Sequence, residues 1–384
     1  MILIAGNNLS SIYLSAYLEK ENIDYRRIYT QKVKDYTFYF NDLNGGMQKR
    51  VLDIFDYQME NNGDAAFYVR TNEGEYKIDG NFELFMQNNA AHCKNGDKMI
   101  EFGKTVSEIG KEWMETIDQK FALKMSIDSV MAKNFMKSYQ EYLFQLFHDE
   151  EIKNVFQSLV PRDDISLNTA AGYLYTQVFD GSGHRNQLEM LTEKMISGCK
   201  AEHQIQVADF DKLEINSEAR TIIVNGKTIH YDCFIKLYDL KDVQTKMVTY
   251  YVDCEDNRDS YVFYHLNGMN EYGMKQVILW KDKTGSRLDI YYASTVSEDI
   301  VQRYIEDFIK EIKVKQKIGY ESLKQQYGNS NFAGWAFNVK ENMRNPIVCK
   351  RLDYMDLSVW GNAHFTCVLI ALTNLKKIIG GENE

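Results

Sequence analysis

The sequence predicts an α/β protein: a parallel sheet flanked by helices, with a second part of mixed α+β character inserted into it. Three observations lead there. The chain opens MILIAGNNLSSIYLSAYLEKENIDYRRIYT, where a short apolar run ends in a glycine, a helical pattern starts at once and a second strand pattern follows. Strand, turn, helix and strand in that order make a βαβ unit, which implies parallel pairing and a right-handed crossover. Residues 100–160 are patterned as helices and residues 200–294 mostly as strands. No repeat, linker or low-complexity stretch separates these blocks, so they read as insertions between pieces of one parallel-sheet domain.

The elements follow in order. Met1–Ala5 is a buried-strand run, and Leu9, Ile12, Tyr13 and Ala16 form one helical face. Ile23–Tyr29 is the second strand. Residues 31–100 are mixed, with strand patterns at Tyr36–Phe40, Ala66–Arg70 and Glu75–Ile78 between the turn signals Asn44-Gly45-Gly46 and Asn62-Gly63. In the helical block Phe135, Tyr139, Tyr142, Leu143, Leu146 and Phe147 keep helical spacing until Pro161 and Arg162-Asp163-Asp164 end it. Leu188, Leu191, Met195 and Ile196 mark an amphipathic helix over 186–199. Strands are expected at Ile205–Val207, Lys212–Ile215, Thr221–Val224 and Thr228–Leu237, with Asn225-Gly226 as a hairpin signal. Residues 247–294 read as strands and 298–318 as an amphipathic helix of interleaved Lys and Glu. Leu357–Trp360, Gly361 and a helix through Ile379 complete the pattern.

At 384 residues and 44% apolar content the chain can bury two packed domains or one composite one. A formal charge of −10 without a Lys/Arg stripe argues against nucleic acid as a partner. Cys93, Cys199, Cys233, Cys254, Cys349 and Cys367 form no CxxC pair, which suits reduced thiols in a cytoplasmic protein. No basic leader precedes the first apolar run, and no run approaches the ~20 apolar residues of a spanning helix. There is no HExxH, GxSxG or Walker motif; His148-Asp149-Glu150-Glu151 reads as a solvated helix end, and no metal site is expected.

The glycine turn is where chemistry is first suggested. A helix start carries free N–H groups and partial positive charge, so it suits a phosphate. A GxGxxG turn uses its second glycine to admit a pyrophosphate and its third to let helix approach strand. Here Gly6 stands first, and Asn8 and Ser11 occupy the other two positions. Asn tolerates left-handed backbone better than most residues, and Ser11 is small. An ordinary βα turn would show the same pattern. The acid that normally closes the second strand and bonds a ribose is replaced by Tyr29 and Thr30, whose hydroxyls can bond but carry no charge. Gly45 and Gly46 offer a second phosphate-facing turn or, equally, a surface hairpin.

Later segments extend the pattern: Asp180-Gly181-Ser182-Gly183-His184 before a helix, the hairpin and closing strand to Leu237, and LSVWGN (357–362) before the last helix. Together with the opening turn, these resemble the FAD-binding amine oxidase, phytoene desaturase and protoporphyrinogen oxidase superfamily. The resemblance covers most of the chain in order and is specific at three anchor points. It implies a Rossmann-like FAD/NAD(P)-binding domain from 1–75, 179–240 and 335–384, and a substrate or cap domain from 76–178 and 241–334. It implies FAD as cofactor, with Gly6, Asn8, Leu9 and Ser11 at the pyrophosphate, Tyr29 and Thr30 at the ribose, and Gly45 and Gly46 at a phosphate. Val207 to Phe210 would face the adenine. Gly361, Asn362 and Thr366 would lie by the ribityl chain, with Asn362 where the family often has an acid. His184 would lie at the mid-chain turn and His364 near the flavin ring or at a helix cap. Trp280, Trp335 and Trp360, with Tyr261, Tyr264, Tyr291 and Tyr292, would wall a substrate pocket or pack the core.

The resemblance implies an enzyme first and a non-redox protein as the alternative. The first is an FAD-dependent oxidoreductase of the amine oxidase or desaturase type, oxidising a C–N or C–C bond of a small molecule by hydride transfer to flavin. The other is a flavin-fold protein without redox FAD, working as a binding or accessory protein, or using FAD without net redox change as a mutase does. Its partners would be a small-molecule substrate, and a second copy of itself or a biosynthetic enzyme. No catalytic residue is identifiable from the sequence.

Overall fold

The apolar opening run forms strand β1 (Ile2–Ala5), buried along its whole length at the centre of a five-stranded parallel sheet. The computed structural model describes residues 1–31, 45–57, 66–78, 82–90, 96–117, 129–175, 185–254, 260–282, 285–342, 349, 351–361 and 363–379; the strand pattern at Tyr36–Phe40, the Asn62-Gly63 turn and the Gly181/Gly183 turn fall outside them. Strands are numbered β1–β15 in chain order. β1 pairs on one side with β2 (Tyr25–Tyr29), which leads to β5 (Gln204–Gln206), and on the other with β9 (Cys233–Lys236), which leads to β15 (Tyr354–Asp356). The helix Leu9–Lys20 makes the β1-to-β2 crossover and packs between the helices Arg185–Gly198 and His364–Ile379. It is buried on nearly all sides, as a helix between two others and a sheet must be. Mixed α/β architecture around a parallel sheet is therefore as predicted.

Between β5 and β9 lies a small antiparallel meander of β6 (Glu214–Asn216), β7 (Thr221–Val224) and β8 (Lys227–His230). Asn225 and Gly226 turn β7 into β8 with φ of 50° and 76°, the positive pair that a two-residue hairpin demands.

The second sheet has seven strands in the order β14-β10-β13-β12-β11-β3-β4. These are β3 (Ala66–Thr71), β4 (Glu75–Ile78), β10 (Thr245–Cys254), β11 (Ser260–His265), β12 (Met274–Asp282), β13 (Gly285–Ala293) and β14 (Ile312–Ile318). Only β11 and β3 pair in parallel. β3 thus belongs to this sheet, although the sequence grouped residues 1–75 with the parallel one. One face packs on the main core through Val69, Met247, Phe263, Ile278 and Tyr291. The other face is covered by the helix Glu298–Phe308 through Val301, Tyr304 and Ile305.

One sequence expectation is corrected here. The helix expected over 298–318 stops at Phe308, and Ile312–Ile318 is the edge strand β14. Its alternation of Ile312, Val314 and Ile318 with Lys313, Lys315 and Lys317 has period two, and lysines are suited to an exposed sheet edge. The segment Leu357–Trp360, to which the sequence assigned no element, follows the strand Tyr354–Asp356, and its Ser358–Trp360 part is a 3-10 turn. Tyr354–Asp356 is a strand because it can reach β9 in register.

The helical block is built on Gly96–Ile117, Tyr139–Leu146, Glu150–Gln157 and Leu167–Tyr173. Phe102 is fully buried with its ring centroid 4.5 Å from that of Phe156. A capping box of Ser138 and Glu141 starts Tyr139–Leu146. Gly172 lets two helices touch: a Cβ there would lie 2.7 Å from Trp113 ring atoms. Gly172→Val is expected to destabilise the protein by about 1–3 kcal/mol through overpacking, read as a lower urea midpoint at unchanged slope.

Candidate functional site

The turn after β1 is the site to which the sequence points, and its side chains all turn inward. Asn8 has φ −75° and ψ 171°, an extended residue at the helix N-cap, so no left-handed geometry is required of it. Its Oδ1 accepts from the Ser11 N–H at 3.1 Å, and its Nδ2 donates to the Leu237 carbonyl at 3.0 Å. Ser11 Oγ lies 2.9 Å from the Gly6 carbonyl and 2.7 Å from the Asn8 carbonyl. Asn7 reaches sideways: its Nδ2 donates to Thr30 Oγ1 at 2.7 Å and to the Gln326 carbonyl at 3.1 Å, and its Oδ1 accepts from the Thr30 N–H at 2.9 Å. Every residue from Gly6 to Ser11 is buried, with Asn7 at 0% and Asn8 at 3% exposure.

That burial bears on a dinucleotide. A pyrophosphate needs open space above the helix start, which the second glycine of GxGxxG provides. Here the Asn8 side chain fills that position, takes up an N–H of the first turn and spans to β9. The residues present do not fit a pyrophosphate in this arrangement, because at least the two Asn8 bonds would have to break to admit one.

Gly6 and Gly361 are explained by packing. A Cβ on Gly6 would lie 2.8 Å from the Leu237 Cβ. Gly361 has φ +58°, and a Cβ there would meet the Asn331 carbonyl at 2.2 Å and the Gly334 nitrogen at 2.8 Å. Both serve close approach of the chain to itself.

The other expected site residues spread out around this turn. Tyr29 and Thr30 are half-buried at the end of β2. Leu9 is fully buried, and Thr366 is 4% exposed within the last helix. Val207 follows β5, its N–H donating to the Tyr29 carbonyl at 2.9 Å. Phe210 stacks on Tyr238 with centroids 4.3 Å apart, so its ring is engaged by the protein's own core. Gly45 and Gly46 open the helix Gly45–Ile54, which packs against the last helix, and so form no hairpin. Asn362, Gly181, Gly183 and His184 fall outside the described residues. His364 joins the turn: its Nδ1 lies 3.1 Å from Ser10 Oγ, and burial pushes its imidazole down to about 3.

Sequence reasoning missed a buried polar cluster on the inner face of the larger sheet. Arg287 Nη2 donates to Asp289 Oδ2 at 2.7 Å, and Thr249 Oγ1 donates to Asp289 Oδ1 at 2.6 Å. The Arg287 guanidinium carbon lies 5.0 Å from the Trp280 ring centroid. Arg287 is 1% exposed and Asp289 0%, so each charge is tolerable only because the other is there. The signal was Arg and Asp two residues apart, on one face of an otherwise apolar strand. Trp280, Trp335 and Trp360 are core residues; Trp360 packs edge-on to Phe337 at 5.0 Å. Cys199, Cys233, Cys254, Cys349 and Cys367 are free thiols, and burial pushes Cys233 up to about 12 and Cys349 to about 11, away from nucleophile chemistry. Among the described residues no His, Cys, Asp and Glu group could hold a metal, and no helix is long and apolar enough to cross a membrane.

The central parallel sheet, its crossover helix and the second sheet define a mixed α/β protein of Rossmann-like fold. Solved structures agree over the whole chain. It is similar to a putrescine oxidase variant redesigned in cofactor binding (TM-score 0.55, 12% identity, 99% of each chain). It is also similar to a reduced UDP-galactopyranose mutase (TM-score 0.50, 12% identity, 100% of this chain and 94% of that one). A third likeness is to a Rab GDI from Plasmodium falciparum (TM-score 0.52, 9% identity, 97% of each chain). No family model and no curated protein matches the sequence.

Two outcomes are expected. Asn8→Ala removes a helix cap and a buried tie to β9 and should cost about 1–2 kcal/mol in urea melts. His364 is neutral when folded, with its pKa below the unfolded value near 6.5, so the unfolded chain takes up a proton that the folded chain refuses. Stability should fall as pH drops from about 6.5 towards 3, by about 1.4 kcal/mol per pH unit from this group. Melts across this range should show a shallower fall in His364→Gln.

Proposed function

We propose that this chain is a flavin-fold protein that has given up redox flavin at its β1 turn and works as a binding or accessory protein. The observation that carries this is the closed turn: Gly6 to Ser11 are buried, with Asn8 bonded to Ser11 and to Leu237. The second strand supports it, since Thr30 bonds Asn7 through both its hydroxyl and its N–H and no acid stands there. Gly361, another residue that the resemblance places by the cofactor, accommodates Asn331 and Gly334. The reading fits the likeness in fold to a Rab GDI.

One observation favours a second reading, an FAD-dependent oxidoreductase acting on a small-molecule C–N or C–C bond. The starts of the first and last helices meet at Ser10 and His364, and two helix N-termini at one point attract an anion.

The visible spectrum of the purified protein separates the two. The expected result is a colourless protein whose addition leaves the fluorescence of free FAD unchanged. Twin flavin bands, with FAD released on heating, would overturn the proposal. The Asn8→Gly/Ser11→Gly variant restores the open motif, and FAD uptake by this variant alone would identify the two side chains as the block.

A further inference from the structure

A cleft of about 260 Å³ lies far along the chain from that turn, where the helical block meets the larger sheet. Its walls come from the start of Tyr139–Leu146, the end of Glu150–Gln157 and the loop after it, the end of β11 and the start of β12. Two ties hold these walls together: Lys275 pairs with Asp163, and Gln276 Nε2 donates to the Ser158 carbonyl at 3.2 Å. The turn from β11 to β12 is fixed by its own backbone, with the Tyr272 N–H on the Gly268 carbonyl at 2.8 Å and the Met274 N–H on the Met269 carbonyl at 2.7 Å. Gly268 and Gly273 take φ of 80° and 71° in it.

Four polar groups on this cleft are open to solvent and make no side-chain hydrogen bond to a described residue: the carboxamides of Gln140, Gln157 and Asn270 and the imidazole of His265, half-buried except for the exposed Asn270. Each carboxamide both donates and accepts, and so does a neutral imidazole. Burial holds His265 below its ordinary pKa, against the nearby Glu151, so the ring is neutral near pH 7. The two cations on the wall are already balanced. Arg162 is bidentate to Asp164 at 2.8 Å for both bonds and reaches Glu341 at 3.1 Å, and Lys275 is on Asp163. Met269 and Met274 back the cleft but are 4% and 1% exposed, packed into the core under the helix Glu298–Phe308.

The geometry points to a binding site for a neutral polyhydroxylated molecule of monosaccharide size, held by Gln140, Gln157, His265 and Asn270. Hydroxyl groups donate and accept as these four side chains do, so a ring carrying several of them can satisfy the whole set. A charge-balanced wall offers an anion no surplus cation. The volume lies at the small end of ligand clefts, which run from about 300 Å³, and is too small for a dinucleotide. This inference is independent of whether flavin is bound, because none of these residues touches the β1 turn.

The test is saturation-transfer NMR followed by calorimetry on the full chain. The probes are glucose, galactose, N-acetylglucosamine and myo-inositol, each at about 10 mM to reach millimolar affinities, with glucuronate and glucose 6-phosphate as charged controls. At least one neutral probe is expected to bind more tightly than both controls. Gln157→Ala and His265→Ala should each weaken binding by about tenfold, the loss of one or two good hydrogen bonds. Asn270→Ala, on the exposed turn, should do the same without disturbing the fold. No binding by any neutral probe would overturn the inference. So would preferred binding of the anions, or unchanged affinity in Asn270→Ala together with a second folded variant.

Discussion

The double hydrogen bond of the Asn8 side chain is the constraint on which the centre of this molecule depends. One end of the carboxamide caps the first helix and the other ties it to the end of β9. Ser11 closes the same turn from inside, and Asn7 fastens it to Thr30 and to the Gln326 carbonyl. Four parts of the chain distant in sequence are thereby joined at one turn. In a flavin enzyme of this fold class a bound dinucleotide would bridge such segments. Here buried amide and hydroxyl bonds do so, each worth about 1 kcal/mol net and more to lose than to make.

The rest of the parallel sheet is arranged around that point. β1 is central, flanked in register by β2 and β9, and the crossover helix is enclosed by two others. The segment 326–331 lies over the turn and is itself held by the Ser330 N–H on the Asp239 carbonyl at 2.7 Å. Gly361 then allows the 331–334 segment to approach the last strand region closely. Opening the turn would therefore disturb several contacts together, because side chains at a close-packed point do not move singly.

The larger sheet follows a different logic on each face. Its outer face is an apolar and tyrosine-rich layer under one amphipathic helix. Its inner face carries the Arg287–Asp289 pair, which is stable only as a pair and which Thr249 and Trp280 complete. At the edge where this sheet meets the helical block, polar side chains are left without internal partners, and a cleft results. Side chains bonded to one another at the β1 turn and side chains open to solvent at the block's seam are opposite conditions, and each bears on where a ligand can enter.

Local patterns by themselves determined the βαβ opening, the Asn225-Gly226 hairpin, the helical block and most strands. In each case spacing of apolar residues or the backbone preference of one dipeptide is enough, and neither needs a distant partner. The alternating strand Ile312–Ile318 was equally local in its period, yet interleaved charges made it read as helix. Tertiary structure alone decided whether the glycine turn is open, because the direction of Asn8 depends on the Leu237 carbonyl, which the chain brings to it only through β9. The same holds for Asp289, whose second partner Thr249 arrives by pairing of β10 with β13, and for Gly361, whose neighbour Asn331 comes from another segment. A one-dimensional pattern records which groups can bond; which of them are already bonded is settled only when remote strands come into register.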